Sequence, residues 1–461
     1  MRILRDVHRP ALMMTGQTGR TAFHDPLPPV TGWWPRNHHR FPAHFIRAAL
    51  VLLALVCAPL TGVSAEPEGG LRPLTLDEAV RAGLDADDPS ILRFARRAAG
   101  KREAAIADAQ LPDPKLRFRL QSFPVDSFRL GDTPMTQIQI ALQQAFPRGR
   151  TLHYSRKRRE AEAAADRARM ALARRQLVLA IRQAWLDLYY WTHARRFVAE
   201  SRLAVAGLET VASGSFAAGK GSSEDVLRAR FELAVLDDRL IEIDRQIARA
   251  RAELTRWIGP ERAARPVPED LPVLPAPSPI EGIRAALVSH PSVRVADAVI
   301  AARRAEIAIA RQQYKPGFTA EVGYGVRGGR QTDFASAGVI MDLPIFTAKR
   351  QDKRLAAAKA QESAARLDRD LLLKELNRRL DRAAADWERL NERARLYREV
   401  VTVRAGDTTE AALNSYRSAV VDFAELIRAR LAELDAEITA LKLEVERART
   451  QAELLFLEGD T

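Results

Sequence analysis

Two hydrophobic periods alternate along this chain. The period is two in four short stretches. Leu116, Phe118 and Leu120 alternate with Arg117, Arg119 and Gln121, and Ile138, Ile140 and Leu142 alternate with Gln137, Gln139 and Gln143. Further on, Phe318, Ala320, Val322, Tyr324 and Val326 alternate with Thr319, Glu321, Gly323, Gly325 and Arg327. Ala335, Ala337, Val339, Met341 and Leu343 then alternate with Phe334, Ser336, Gly338, Ile340 and Asp342. One apolar and one polar face per stretch predicts strands that separate oil from water, at about 115–124, 135–146, 317–327 and 334–344.

Elsewhere the period is that of a helix. Leu177, Ile181, Ala184, Leu188 and Trp191, and again Ile427, Leu431, Leu434, Ile438, Leu441 and Val445, fall at coiled-coil spacings. From about Arg148 to Ser213 there is no proline, and Gly149 and Gly207 are the only glycines. From about Thr347 to Ser415 there is only Gly406. At about 1.5 Å per residue each run predicts a helix of roughly 100 Å, far longer than a globular core needs. An amphipathic stretch, Leu76 to Gln110, precedes the first strand and opens with Thr75 and Glu78 in capping-box spacing.

The plan is written twice. Pro89 recurs as Pro291, Gln110 as Gln312 and Pro114 as Pro316, each 202 apart. Phe146-Pro147 recurs as Leu343-Pro344, Ser215-Phe216 as Ser415-Tyr416, and Asp225 as Glu425. Each half reads helix, two strands, very long helix, tight turn, long helix. The first repeat is expected over 66–258 with its hairpin at 148–258, and the second over 281–457 with its hairpin at 347–457. The linker between them, 259–280, holds seven prolines and is expected to be extended.

Residues 1–65 are expected to be an N-terminal extension and a cleaved signal peptide. The apolar run Ala48 to Leu60 follows Arg40 and Arg47 and precedes Val63-Ser64-Ala65. It contains the single cysteine, Cys57, but Val56 is not the small residue that lipidation needs. Cleavage after Ala65 leaves a cysteine-free chain, which suits an oxidising compartment.

Composition narrows the function. The net charge is +13, of which the first 65 residues supply about five. The rest is interspersed with acids and shows no basic stripe with interleaved aromatics, so solvated helix faces explain it and nucleic acid is not expected. Gly214 to Lys220 has phosphate-loop spacing, but Gly221 follows where Ser or Thr is needed and no strand precedes it. Gly323 to Gly328 spells a dinucleotide fingerprint inside a hairpin. After residue 65 only His153, His193 and His290 remain, without paired spacing, so neither a metal site nor a cofactor is expected. No catalytic constellation stands out, and an enzyme is not expected.

Four strands are too few for a membrane barrel, and a lone sheet would leave two unpaired edges in lipid. Three protomers would supply twelve strands, within the known range. Arg117, Arg119, Gln137, Gln139 and Glu321 would then line a wet lumen. The fold class is therefore mainly α, with long antiparallel helical hairpins and four strands per protomer.

The chain resembles the TolC-type outer-membrane efflux family over residues 70 to 458. The resemblance rests on Leu76-Asp77-Glu78-Ala79, Gln143-Gln144-Ala145-Phe146-Pro147 and Trp185-Leu186-Asp187-Leu188-Tyr189-Tyr190. It rests further on the turn Phe216 to Leu227 and, more loosely, the turn Tyr416 to Leu426. It implies a homotrimer with a 12-stranded outer-membrane barrel and a periplasmic helical tunnel. It also implies outer-membrane lipid, a periplasmic adaptor and an inner-membrane RND-type pump as partners. The turns Gly219, Lys220, Gly221, Ser222 and Ala419, Val420 would meet the adaptor. Gly219 to Ser222 looks most like the branch serving heavy-metal cations, similar to cobalt–zinc–cadmium systems, with drugs as the other expected cargo. The resemblance also places pore-narrowing acids just after the second turn, where Glu425 holds the first position and Arg428 stands in place of the second acid; with Asp422 and Asp225 these are the candidate periplasmic gate. Arg428, at i+3, is positioned to neutralise Glu425. The alternatives are a duct for type I protein secretion, which would look the same, and a periplasmic adaptor, which would carry one hairpin rather than two.

Overall fold

A computed structural model describes residues 72–418 and 420–459. The expected signal peptide, Cys57 and Ala419 lie outside the described residues. Helix α1 (Leu76–Asp85) leads into α2 (Pro89–Ala107), β1 (Lys115–Gln121), β2 (Gln137–Phe146), α3 (Thr151–Ala217) and α4 (Ser223–Ile258). The linker contains α5 (Pro260–Ala263). The order then recurs: α6 (Ile280–Ala286), a short 3-10 turn, α7 (Pro291–Gln312), β3 (Gly317–Arg327), β4 (Phe334–Asp342) and α8 (Gln351–Leu396). A π turn (Tyr397–Val401), α9 (Thr402–Arg417) and α10 (Phe423–Glu458) complete it. Helix α3 has 67 residues, about 100 Å of rise. Helices α4 and α10 have 36 residues each.

Two expectations change. The single stretch Leu76 to Gln110 is broken at Ala86–Asp88. Asp88 caps α2 by accepting the Ser90 N–H at 2.6 Å, and Pro89 at the first helical position stops any continuation from α1. His290-Pro291 does the same before α7. The second long helix is not uninterrupted: at 397–401 it widens into a π turn, where Thr402 Oγ1 donates to the Tyr397 carbonyl at 2.9 Å.

The strands form one antiparallel sheet in the order β1-β2-β3-β4. Its outer strands, β1 and β4, each pair on one side only. The core lies along the helices. Leu177, Ile181, Trp185, Leu188, Val198 and Val205 of α3 bury against α1, α4, the linker and α10. A second cluster joins Ile283, Leu287 and Val293 to Leu376 and Leu380 of α8 and Leu454 and Leu457 of α10. Within the protomer α9 buries none of its described residues.

The linker is extended, as its prolines require, and is fastened rather than free. Trp185, Tyr189 and His193, one helical turn apart on α3, form a ladder. Trp185 Nε1 donates to the Leu74 carbonyl at 2.9 Å and Tyr189 Oη to that of Glu269 at 2.8 Å. His193 Nε2 lies 3.0 Å from the Pro268 carbonyl. Burial raises the Tyr189 phenol to about 12 and lowers the His193 pKa, so both stay neutral donors. Farther along, Gln451 Nε2 of α10 donates to the carbonyls of Leu274 and Pro275.

Candidate functional site

Strand register decides which side chains share a face. Arg117 lies opposite Ala141, Arg119 opposite Gln139 and Gln121 opposite Gln137, while Gln143 lies opposite Glu321. Paired residues point the same way and alternate residues agree, so Arg117, Arg119, Gln137, Gln139 and Glu321 share one face. They also interact. Arg117 forms an ion pair with Glu321 across the small Ala141 and Gly323, and Gln143 donates to the same carboxylate. Gln143 belongs in this set although only its polar alternation marked it. The fingerprint glycines have a packing role: a Cβ on Gly325 would lie 2.6 Å from the Phe334 ring, which folds over the same face.

The opposite face is apolar and uncovered. Leu116, Phe118, Leu120, Ile138, Ile140, Leu142, Val322, Tyr324, Val326, Val339 and Met341 are all exposed, Phe118 by 68%. An apolar surface this continuous is far beyond the scattered exposure of a water-soluble monomer. No helix among the described residues is long and apolar enough to cross a membrane.

At the far end of the helices are two tips. Between α3 and α4 the Gly219 N–H donates to the Phe216 carbonyl and the Lys220 N–H to that of Ser215 at 2.8 Å. Gly219 has φ +71°, the left-handed residue that such a helix end needs. Ser222 then caps α4 by accepting the Glu224 N–H at 3.0 Å. Gly219, Lys220, Gly221 and Ser222 are all exposed. Between α9 and α10 the Val420 N–H donates to the Ser415 carbonyl at 2.9 Å, the same bond 200 residues later. Val420 is 75% exposed.

Asp422 caps α10 by accepting the Glu425 N–H at 2.8 Å. Glu425 and Arg428 form an ion pair on the exposed side of that first turn. Asp225 is not part of this cluster. It lies near Tyr416, whose phenol pKa is raised by burial and then by the Asp225 charge. Tyr416 also meets the buried Phe423 edge-on at 5.7 Å, so the second tip is anchored by an aromatic pair whose partners lie on both of its sides. Behind the tips a groove of about 460 Å³ lies between α3, α9 and α10, lined by Leu208, Val211, Leu413, Tyr416 and Leu426.

Among the described residues no group of His, Cys, Asp and Glu is arranged to hold a metal ion. His153 is exposed beside Tyr154, His193 fastens the linker and His290 caps α7, so each has a local role apart from the others.

Residues 282–460 match the family model of the outer membrane efflux proteins. No curated protein matches the chain. Solved structures match over nearly its whole described length. The outer-membrane channel OprN aligns with a TM-score of 0.73 at 20% identity, covering 84% of this chain and 90% of that one. The outer membrane protein VceC of Vibrio cholerae aligns at 0.71 and 19% identity, covering 83% and 96%. CusC, described for its transmembrane channel formation, aligns at 0.70 and 15% identity, covering 86% and 96%.

Proposed function

We propose, from the premise that residues 282–460 belong to the outer membrane efflux protein family and that both halves share the fold of its channels, that this protein is a passive export duct. It sits in the outer membrane of a Gram-negative bacterium with most of its mass in the periplasm. One observation carries the reading: a two-faced sheet with two unpaired edges continues directly into hairpins about 100 Å long. The apolar face suits lipid and the polar face, with its Arg117–Glu321 pair, suits a wet lumen. Three copies supply twelve strands and close the barrel. The hairpins prolong the bore, and the exposed tips at Gly219–Ser222 and Val420 offer the surface on which a periplasmic adaptor docks. An RND-type inner-membrane pump supplies the energy. The Gly219-Lys220-Gly221-Ser222 turn favours heavy-metal cations as cargo. Metal selection then rests with the pump, since the duct has no grouped ligands among its described residues.

The test is affinity purification of the tagged protein from membranes after mild crosslinking, with mass spectrometry of the oligomer and its partners. The expected result is a trimer with an adaptor and a proton-driven pump, and the pump narrows the substrate. A trimer with an ATP-driven secretion pump would keep the fold and overturn the efflux role. A monomer released without detergent would overturn the duct.

A further inference from the structure

One end of the sheet is ringed by basic side chains. Strands β2 and β4 leave there and β1 and β3 arrive, because Phe146 pairs with Phe318 and Gly317 with Asp342. Past β4 the apolar surface continues beyond the hydrogen-bonded strands: Leu343, Ile345 and Phe346 are exposed, Phe346 by 89%. Basic residues follow at once. Lys349, Arg350, Lys353 and Arg354 are exposed, as are Lys157 near the start of α3 and Lys315 just before β3. None of these six has a carboxylate partner among the described residues, although ion pairs are frequent along the helices elsewhere.

Helix stability does not account for this. A helix start favours acidic side chains. Helices α1, α4 and α10 follow that preference with Asp77 and Glu78, with Glu224 and Asp225, and with Glu425. The first turn of α3 carries no acid, and that of α8 carries one, Asp352, which accepts from the Tyr314 hydroxyl and is outnumbered by the four cations around it. The concentration of charge is felt locally: the His153 pKa is lowered by desolvation and then by Arg150, Lys157 and Arg156. The other end of the sheet differs. Its loops interleave Asp126, Asp132 and Asp333 with Arg129 and Arg330, so acids match cations there, whereas Lys349–Arg354 holds four cations to the single Asp352.

We propose that this basic collar, from Lys157 and Lys315 to Lys349–Arg354, binds the anionic phospholipid headgroups of the leaflet on the helical side of the barrel. The inference rests on the outer-membrane reading above. An apolar band meets acyl chains, and the uncompensated cations beside it lie at headgroup depth. Long Lys and Arg stems reach from one layer to the other. The occupant is a lipid rather than free phosphate because apolar Ile345 and Phe346 adjoin the charges. A lone anion would have no use for them.

The experiment uses the full chain purified as its oligomer in a neutral detergent. Dioctanoyl phosphatidylglycerol and dioctanoyl phosphatidylcholine are titrated separately, with binding read by native mass spectrometry. The phosphatidylglycerol should bind about tenfold tighter or more, and inorganic phosphate at matched concentration should not displace it. The variant Lys349→Gln/Arg350→Gln/Lys353→Gln/Arg354→Gln should lose that preference, and Lys349→Arg/Lys353→Arg should keep it. Equal binding of the two lipids by the unaltered protein overturns the proposal and needs no variant. Displacement by phosphate also overturns it, in favour of a simple anion site. A chain that never purifies as a membrane oligomer overturns both this proposal and the duct reading. A membrane oligomer indifferent to headgroup charge overturns only this one.

Discussion

Glu425 and Arg428 form an ion pair on the exposed first turn of α10, and on the proposed duct reading that pair would set the charge three copies present to a passing ion. An exposed pair of this spacing contributes only about a few tenths of a kcal/mol, so neither substitution should disturb folding. In planar bilayers Arg428→Gln should shift the reversal potential toward cation selectivity and Glu425→Gln toward anion selectivity. Identical reversal potentials in both variants and the unaltered protein would place the pair off the conduction path. His290 behaves differently. Burial first, and the charge of Arg175 second, depress its pKa from 6.5 to about 4. The unfolded chain takes up a proton near pH 6.5 and the folded chain only near pH 4, so stability is complete above pH 6.5. It then falls as the pH drops through that window, by on the order of 3 kcal/mol. Thermal unfolding of His290→Asn between pH 7 and pH 4 should show a shallower decline than the unaltered protein. The Glu425–Arg428 spacing was legible in the sequence because both partners lie on one helix turn. The roles of Trp185, Tyr189 and His193 were not, because they bond to carbonyls of Leu74, Glu269 and Pro268, which have no side-chain signature.

At the scale of elements, the linker and the π turn give the clearest predictions. Trp185 is fully buried and holds Leu74. Trp185→Ala removes a large ring and a hydrogen bond, and should cost about 3–5 kcal/mol. The change should appear as a lower melting temperature and as new proteolysis within the linker, 264–279. An unchanged digestion pattern would mean that the ladder does not hold the linker. The π turn at 397–401 accommodates one residue more than an α-helical turn. Deleting Val400 should therefore convert it to regular helix and leave α9 in phase, with the oligomer and its melting temperature nearly unchanged. Deleting Ala385, within α8, should rotate everything beyond it by about 100° and abolish assembly. Equal damage from the two deletions would contradict this. Strand positions could be read from the sequence because alternation has period two. The break before α2 could also have been read, since Asp88-Pro89 is a cap and a stop. The periodicity across Leu76 to Gln110 masked it. The π turn leaves no such mark: Tyr-Arg-Glu-Val-Val is ordinary helical sequence, and only the backbone path at 397–401 shows the extra residue.

At the scale of the whole molecule, a single chain leaves its sheet unfinished. Its sheet has an uncovered apolar face, a polar face with internal ion pairing, and two free edges. Because the four strands alternate in direction, β1 and β4 run antiparallel, so β1 of one copy can continue the ladder from β4 of the next. Closure of three copies, as proposed, would remove every edge, which a membrane requires. The sequence carried the alternation and the second copy of the plan, and hence the need for partners. The register that places Arg117 beside Glu321 needed the structure, because it depends on where β1, β2 and β3 slide relative to one another. The most direct test replaces Cys57 with Ser, places a cysteine at Arg119 in β1 and walks a second one along β4 from Phe334 to Asp342. Oxidation in membranes should link neighbouring copies at one or two adjacent β4 positions, giving covalent species of two and three protomers and none larger. Absence of linkage at every position, or a ladder continuing past three, would contradict the closed trimeric barrel on which the account rests.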